Sequence, residues 1–337
     1  MCASTNFIGN NDNFFLSKKI NLGLDLQGGS YLLLEVDSKP IINQQLQQKL
    51  IELRKYLKEN KIRYKDINLK NEEINFIIEK NDVDKFVELF LNKDNKINFY
   101  YNNYRAYELD YFIDKNKIIL KYSKFGLVES KKATLDQSLE IVRRRIDEVG
   151  TKDPTIIKRG NDRILIELPG LDDPNRIKKL LGKTANLSFR FVSENDDTFG
   201  SESLMFEKDE NRLNVSKRVV VSGDNLITAK PSVDNQNNQT VVSFTLDRVG
   251  AKKFARATTD NIGKKIAIVL DNKIISAPSV REPIIGGAGQ ITGDFTFQSA
   301  TDLALLLRSG ALPAPLIIIE ERTVGPDLGE DSIKAGA

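Results

Sequence analysis

Which side chains of this chain could make or break a bond is answered first by what it lacks. Its 337 residues contain no histidine, which removes the usual general base near neutral pH and the commonest zinc ligand. Cys2 is the only cysteine, so neither a disulfide framework nor a thiolate metal cluster can form. A serine nucleophile would need another base, such as lysine, and no segment suggests that pair. Asp172-Asp173 begin a helix, where capping accounts for them. Glu320-Glu321 fall on a strand and so point to opposite faces. The polar clusters 194–202 and 234–238 lack the alternating acids and glycine of a calcium loop. "GGAGQITG" (286–293) lacks the Lys-Ser/Thr ending of a P-loop and does not open a helix. With strand-like "GDFTF" after it, it reads as a tight hairpin. "RRR" (143–145) fans over most of a helical turn, as a solvated face does. Catalytic, cofactor-binding and metal-binding residues are therefore all expected to be absent, and the chain reads as a binding or mechanical module.

Composition sets the scale of that module. Hydrophobic residues make up 40% and charged residues 29% of the chain, which suits packed cores, and the length calls for two or more domains. Fifty basic against 47 acidic side chains leave a net charge of +3, too balanced for a nucleic-acid surface. The most apolar window, 303–319, is broken by Arg308, Gly310, Pro313 and Pro315, so it is no membrane helix. "MCASTNFIGNNDNFF" is no signal peptide. Both termini fit either frayed ends or a region excised from a larger protein.

The elements follow from periodicity and caps. Pro40 opens a helix with Ile42, Leu46, Leu50, Leu53 and Leu57 on one stripe. Asn81 is expected to cap a second, with Val83, Phe86, Val87 and Phe90. Thr134 and Gln137 form a capping box for a third, striped by Leu135, Leu139, Val142, Ile146 and Val149 and closed by Gly150. Asp173-Pro174 open a fourth that Gly182 closes. A fifth carries Phe254 and Ala257. Ser299 with Asp302 is expected to start a sixth, stopped at Gly310. Strands are expected at 73–79, 96–101, 117–122, 163–168, 186–192 and 314–324. A hairpin spans 265–276, turning at Asp271-Asn272. Segment 194–240 is the least periodic. Setting 38–130 aside, 22–36 and 134–192 run strand, helix, strand, strand, helix, strand, the split βαβ order. The fold class is α+β: a discontinuous ferredoxin-like base with a mixed or antiparallel sheet, an inserted N-terminal α+β lobe and an inserted second subdomain.

One stretch carries more than local pattern. In "NLGLDLQGG" (21–29), Leu22, Leu24 and Leu26 alternate as in a half-buried strand, and Gly28-Gly29 permit a bend. "LGLDLQGGSYLLLEVD" (22–37) resembles the start of the periplasmic region of the SecD family, accessory subunits of the bacterial protein-export translocon. Similar segments follow in order at 143–171, 187–192, 261–284 and 291–333. The resemblance implies a base made of 20–37, 131–192 and 296–325, a head of 193–295, and an inserted lobe of 38–130. It also implies a flexible 1–19 after a missing membrane helix, and a tail of 326–337 leading to another. Asp25, Gly28 and Gly29 become an architectural motif, Asp25 satisfying backbone at the bend. The hinge is expected at Val192-Ser193 and Gly293-Asp294. Cys2 fits a cloning remnant or the tail of the membrane helix.

The implied function is non-enzymatic and uses no cofactor. The domain would handle an unfolded preprotein on the periplasmic face of the inner membrane, within a membrane-embedded full-length protein, and would bind no nucleic acid. Proton flow through an absent SecD–SecF membrane part would swing the head. SecF, the SecYEG translocon, SecA and YajC are the implied partners. A static scaffold bracing the translocon and a periplasmic Ser–Lys hydrolase are the alternatives.

Overall fold

The computed structural model describes residues 29–151, 153–170, 173–193, 200–234 and 237–324. Six helices run through them: α1 (Lys39–Glu59), α2 (Val83–Phe90), α3 (Lys124–Val149), α4 (Pro174–Gly182), α5 (Arg248–Thr259) and α6 (Phe297–Ser309). The protein is α+β, with its strands divided among several sheets.

One four-stranded sheet takes strands from both ends of the chain. Its order is Leu316–Val324, Gly29–Val36, Arg163–Pro169, Thr155–Arg159, and every neighbour is antiparallel. Alternation drives Leu32, Leu34, Val36, Ile164, Ile166 and Leu168 to one face. There they meet Leu135, Val142 and Ile146 of α3 and Ile177 and Leu181 of α4 in a single core. The fourth strand of this sheet is Leu316–Val324. Leu187–Phe191, grouped above with the base, pairs instead with Ile266–Leu270 in a different sheet. Both segments read as strands, one alternating and one mostly apolar, and neither pattern names the neighbour a strand will pair with.

That second sheet has six strands, ordered Arg212–Ser216, Ser201–Phe206, Lys273–Ser276, Ile266–Leu270, Leu187–Phe191, Val221–Ser222. A three-stranded sheet (Leu226–Val233, Thr240–Leu246, Ala288–Ile291) faces it. Between them Phe189, Phe244 and Phe254 cluster with centroids 5.2–6.4 Å apart, and α6 seals the core with Leu303, Leu306 and Leu307. Segment 194–240, the least periodic in sequence, thus holds four strands.

The lobe has its own core. All five stripe residues of α1 are buried against Ile74, Phe76, Phe86, Phe90, Ile118 and Leu120, over a sheet ordered Tyr64–Lys70, Glu73–Ile78, Lys117–Tyr122, Leu109–Asp114. Of the expected strand 96–101 only Tyr100–Tyr101 pairs, because the buried Asn98 side chain substitutes for ladder bonds by accepting from the Leu109 N–H at 2.8 Å.

Several caps move. Asn81 lies in a 3₁₀ turn (Lys80–Asp82) that leads into α2. Helix α3 starts ten residues before Thr134, at Lys124, and is capped by Ser123, whose hydroxyl accepts from Gly126 N. Thr134 is interior and donates to Ser130 O. Thr296, not Ser299, caps α6 by accepting from Ser299 N. Asp173 caps α4 as expected, accepting from Arg176 N at 3.0 Å. Residues 286–293 are no hairpin. Ala288–Ile291 is a full strand against Val242–Thr245, and "GDFTF" leads into α6 rather than forming a strand.

Candidate functional site

The chain passes between the two large sheets twice, at 183–186 after α4 and at 310–315 after α6. The two crossings lie together, since Leu312 N donates to Thr184 O at 2.8 Å. Two groups fasten them. Asp271, at the hairpin turn, accepts from the Thr184 hydroxyl, from Ala185 N at 3.1 Å and from Asn186 N at 2.8 Å. Asp271 and Asn272 both have positive φ, 49° and 63°, the type I′ turn the sequence predicts.

The second group is Arg145, on the buried side of α3. The sequence reading places it on a solvated face, yet it is 1% exposed. Its guanidinium donates to the carbonyls of Leu180 (2.7 Å), Lys183 (2.5 Å), Thr184 (3.2 Å) and Gly310 (3.2 Å). Leu180 and Lys183 end α4, and Gly310 caps α6. Arginine's planar fork suits several acceptors at once, and the negative ends of two helix dipoles favour a cation there. Burial lowers its pKa to about 10, partly opposed by Asp271, so it keeps its charge at neutral pH. Arg143 is also engaged, donating to Ile156 O at 3.2 Å. Only Arg144 of the three is paired on the surface, to Glu140.

Salt bridges surround the crossings. Arg308 makes a two-pronged contact with Glu148 (3.1 and 2.5 Å) and donates to Ala229 O at 2.6 Å. Arg176 holds Asp302 at 2.8 Å. Beside them a cleft of about 520 Å³ is lined by Arg176, Lys183, Glu207, Lys208, Asp294 and Phe295, among others.

The residues singled out from sequence are scattered. Asp25 and Gly28 lie outside the described residues. Gly29 begins its strand at φ 137°, opposite Pro169 and Val324. Val192 bridges Val215, and Ser193 N donates to Asn214 O at 2.7 Å. These bonds tie the end of one strand to the far edge strand of its own sheet. Gly293 packs under the Phe295 ring. Asp294 is on the cleft wall, 3.5 Å from Lys208. Among the described residues no group of three acidic, histidine or cysteine side chains is placed to hold a metal, and no helix is long and apolar enough to cross a membrane.

Fold and site define a class: a multi-lobed α+β module whose two large sheets are linked by two adjacent chain crossings. Comparison with known proteins gives the family. Residues 14–40 match the SecD/SecF GG motif, 135–194 the N-terminal part of the P1 domain of protein translocase subunit SecDF, and 201–314 the SecDF P1 head subdomain. The protein translocase subunit SecD of Rickettsia conorii is 42% identical over 351 residues, covering 100% of this chain and 65% of that protein. That of Acetobacter pasteurianus is 41% identical over 334 residues, covering 95% of this chain and 62% of its own length. A crystal structure of SecDF in a super-membrane-facing form is 25% identical and superposes with a TM-score of 0.55, over 99% of this chain and 35% of that one. The chain belongs to the SecD family. It spans about 65% of the length of the first of these curated relatives.

Proposed function

We propose that this chain is the part of a SecD translocase subunit that handles an unfolded polypeptide outside the inner membrane. The six- and three-stranded sheets with α6 act as a head that moves against the four-stranded base. The single observation that carries this reading is the joint: base and head are connected by two backbone crossings that lie side by side. A pair of adjacent crossings permits rotation, where many interleaved strands would forbid it.

The head's surface supports a polypeptide ligand. Ile227, Val249, Ile262, Ile285 and Phe297 are all more than half exposed. Apolar side chains spread over one subdomain can hold an extended chain with little sequence preference, since they demand no fixed donor or acceptor pattern. In this reading the protein works without catalysis or cofactor. Proton flow through a SecD–SecF membrane part supplies the movement, and SecF, SecYEG, SecA and YajC are its partners on the periplasmic face. The hinge is the pair of crossings at 183–186 and 310–315, rather than Val192-Ser193, which are bonded into a sheet seam.

Photoreactive residues at Ile285 and Ile227 in the full-length protein test this during export. Adducts with the exported polypeptide are expected, and adducts arising only from probes within 38–130 would overturn it. A static scaffold is separated by joining Arg176→Cys to Asp302→Cys with a short thiol linker. A scaffold tolerates that lock, whereas a moving head loses export.

A further inference from the structure

We infer that Arg145 is the positioning residue that sets the angle between base and head. The inference rests on the jointed reading above and goes beyond it to a single side chain.

Three observations converge on this residue. It is a fully buried cation that makes no ion pair among the described residues; all its acceptors are backbone carbonyls. Leaving water is costly for a cation whose direct partners are all neutral, and the nearby Asp271 charge offsets only part of that cost, so these carbonyls must be held where the guanidinium needs them. They come from both sides of the joint, Leu180 at the end of α4 with Lys183 and Thr184 on the outgoing crossing, and Gly310 on the returning one. Finally, the helix that carries Arg145 is packed into the base, and one turn on its Val149 touches the cores of both base and head. A change in the angle of the crossings alters the distance from the fork to one set of carbonyls or the other. The arrangement therefore favours one angle over the rest. Among the described residues the Nε–H has no partner, so the fork has a spare donor with which to follow a displaced carbonyl.

A structural role alone would weaken the whole fold, whereas positioning changes the relation of two intact parts. Distances between spin labels separate these outcomes in the present chain. One pair, Ile157→Cys with Ile227→Cys in a Cys2→Ser background, reports base against head. A control pair, Ile227→Cys with Ile262→Cys, stays within the head. All three label sites are exposed. With Arg145→Gln the base–head distribution is expected to shift or broaden by about 5 Å, the scale of one element slipping a helical turn past another, while the control pair is unchanged. Arg145→Lys keeps the charge without the fork and is expected to fall between. If Arg145→Gln does not fold, Arg145→Lys decides alone. An unchanged base–head distribution in a folded variant, or equal broadening of both pairs, overturns the inference. Export activity is not the readout, so the inference can fail while the transport reading stands, and the reverse.

Discussion

At the scale of single residues, the interactions that matter are those whose partners lie far away in sequence. Arg308 holds Glu148 across 160 positions with two hydrogen bonds, and these keep the Glu148 carboxyl below the usual carboxylate range. A depressed carboxylate stabilises the fold above its ordinary pKa and loses that contribution as pH falls through the lowered value. Both side chains are about a third exposed, so screening keeps the effect small. Glu148→Gln is expected to cost about 1 kcal/mol at pH 7 and progressively less as the pH is lowered into the acid range, measured by urea unfolding at pH 7 and pH 3. An equal cost at both would show that the charge is irrelevant. Gly126 is limited by space instead. A Cβ there would lie 2.1 Å from Glu108 O, and backbone yields little. Gly126→Ala is expected to destabilise the protein by about 3 kcal/mol, read as a lowered melting temperature, and a wild-type melting temperature would contradict the close approach.

At the scale of elements, the Asp271-Asn272 hairpin shows what local sequence can and cannot announce. The turn itself is legible, because only a few residue types accept positive φ twice in succession. Its second task is not: Asp271 collects three donors from 184–186, and nothing near position 271 signals them. Asp271→Ala is expected to cost about 3 kcal/mol in urea unfolding, from the strained turn and the orphaned donors. Asp271→Gly, which suits the turn, should recover only part of that. Full recovery by glycine would mean the clasp contributes nothing. The same division runs through the rest of the fold. The stripe of α1 and the Asp173-Pro174 start of α4 were readable because their signals are local. Gly287 does sit in a bend, with φ 67°, but Gly289 was misread as a turn residue and lies within a strand. A Cβ at Gly289 would lie 2.6 Å from the Phe244 ring, and one at Gly287 2.5 Å from Ala251 Cβ, partners more than 30 positions away. Arg145 was misread for a related reason: backbone carbonyls carry no sequence signature, so acceptors at 180–184 and 310 leave no trace in composition.

At the scale of the whole molecule, α3 joins the three parts. Its 26 residues reach about 39 Å at 1.5 Å per residue. Its first turn is fixed to the lobe through Ser123, which donates to Tyr107 O, and through Gly126 beside Glu108. Its middle buries Leu135, Ile141, Val142 and Ile146 against the four-stranded sheet, and its last turns carry Arg145 and Glu148 to the two chain crossings. A helix starting at Thr134 would have left the lobe attached to the base by loops alone. The observed start gives lobe and base a shared rigid element, so they should unfold together even though their cores are separate. Lys132 is exposed, between the two sets of contacts. Proline there removes one helix hydrogen bond and clashes with the preceding turn, at a cost of about 3 kcal/mol. Lys132→Pro is expected to split the calorimetric transition in two, the earlier step belonging to the lobe. The assignment follows from hydrogen exchange in 39–122, which should quicken while 163–169 stays protected. A single unsplit transition, merely shifted down in temperature, would mean that direct packing couples lobe and base and that the helix is not the connecting element.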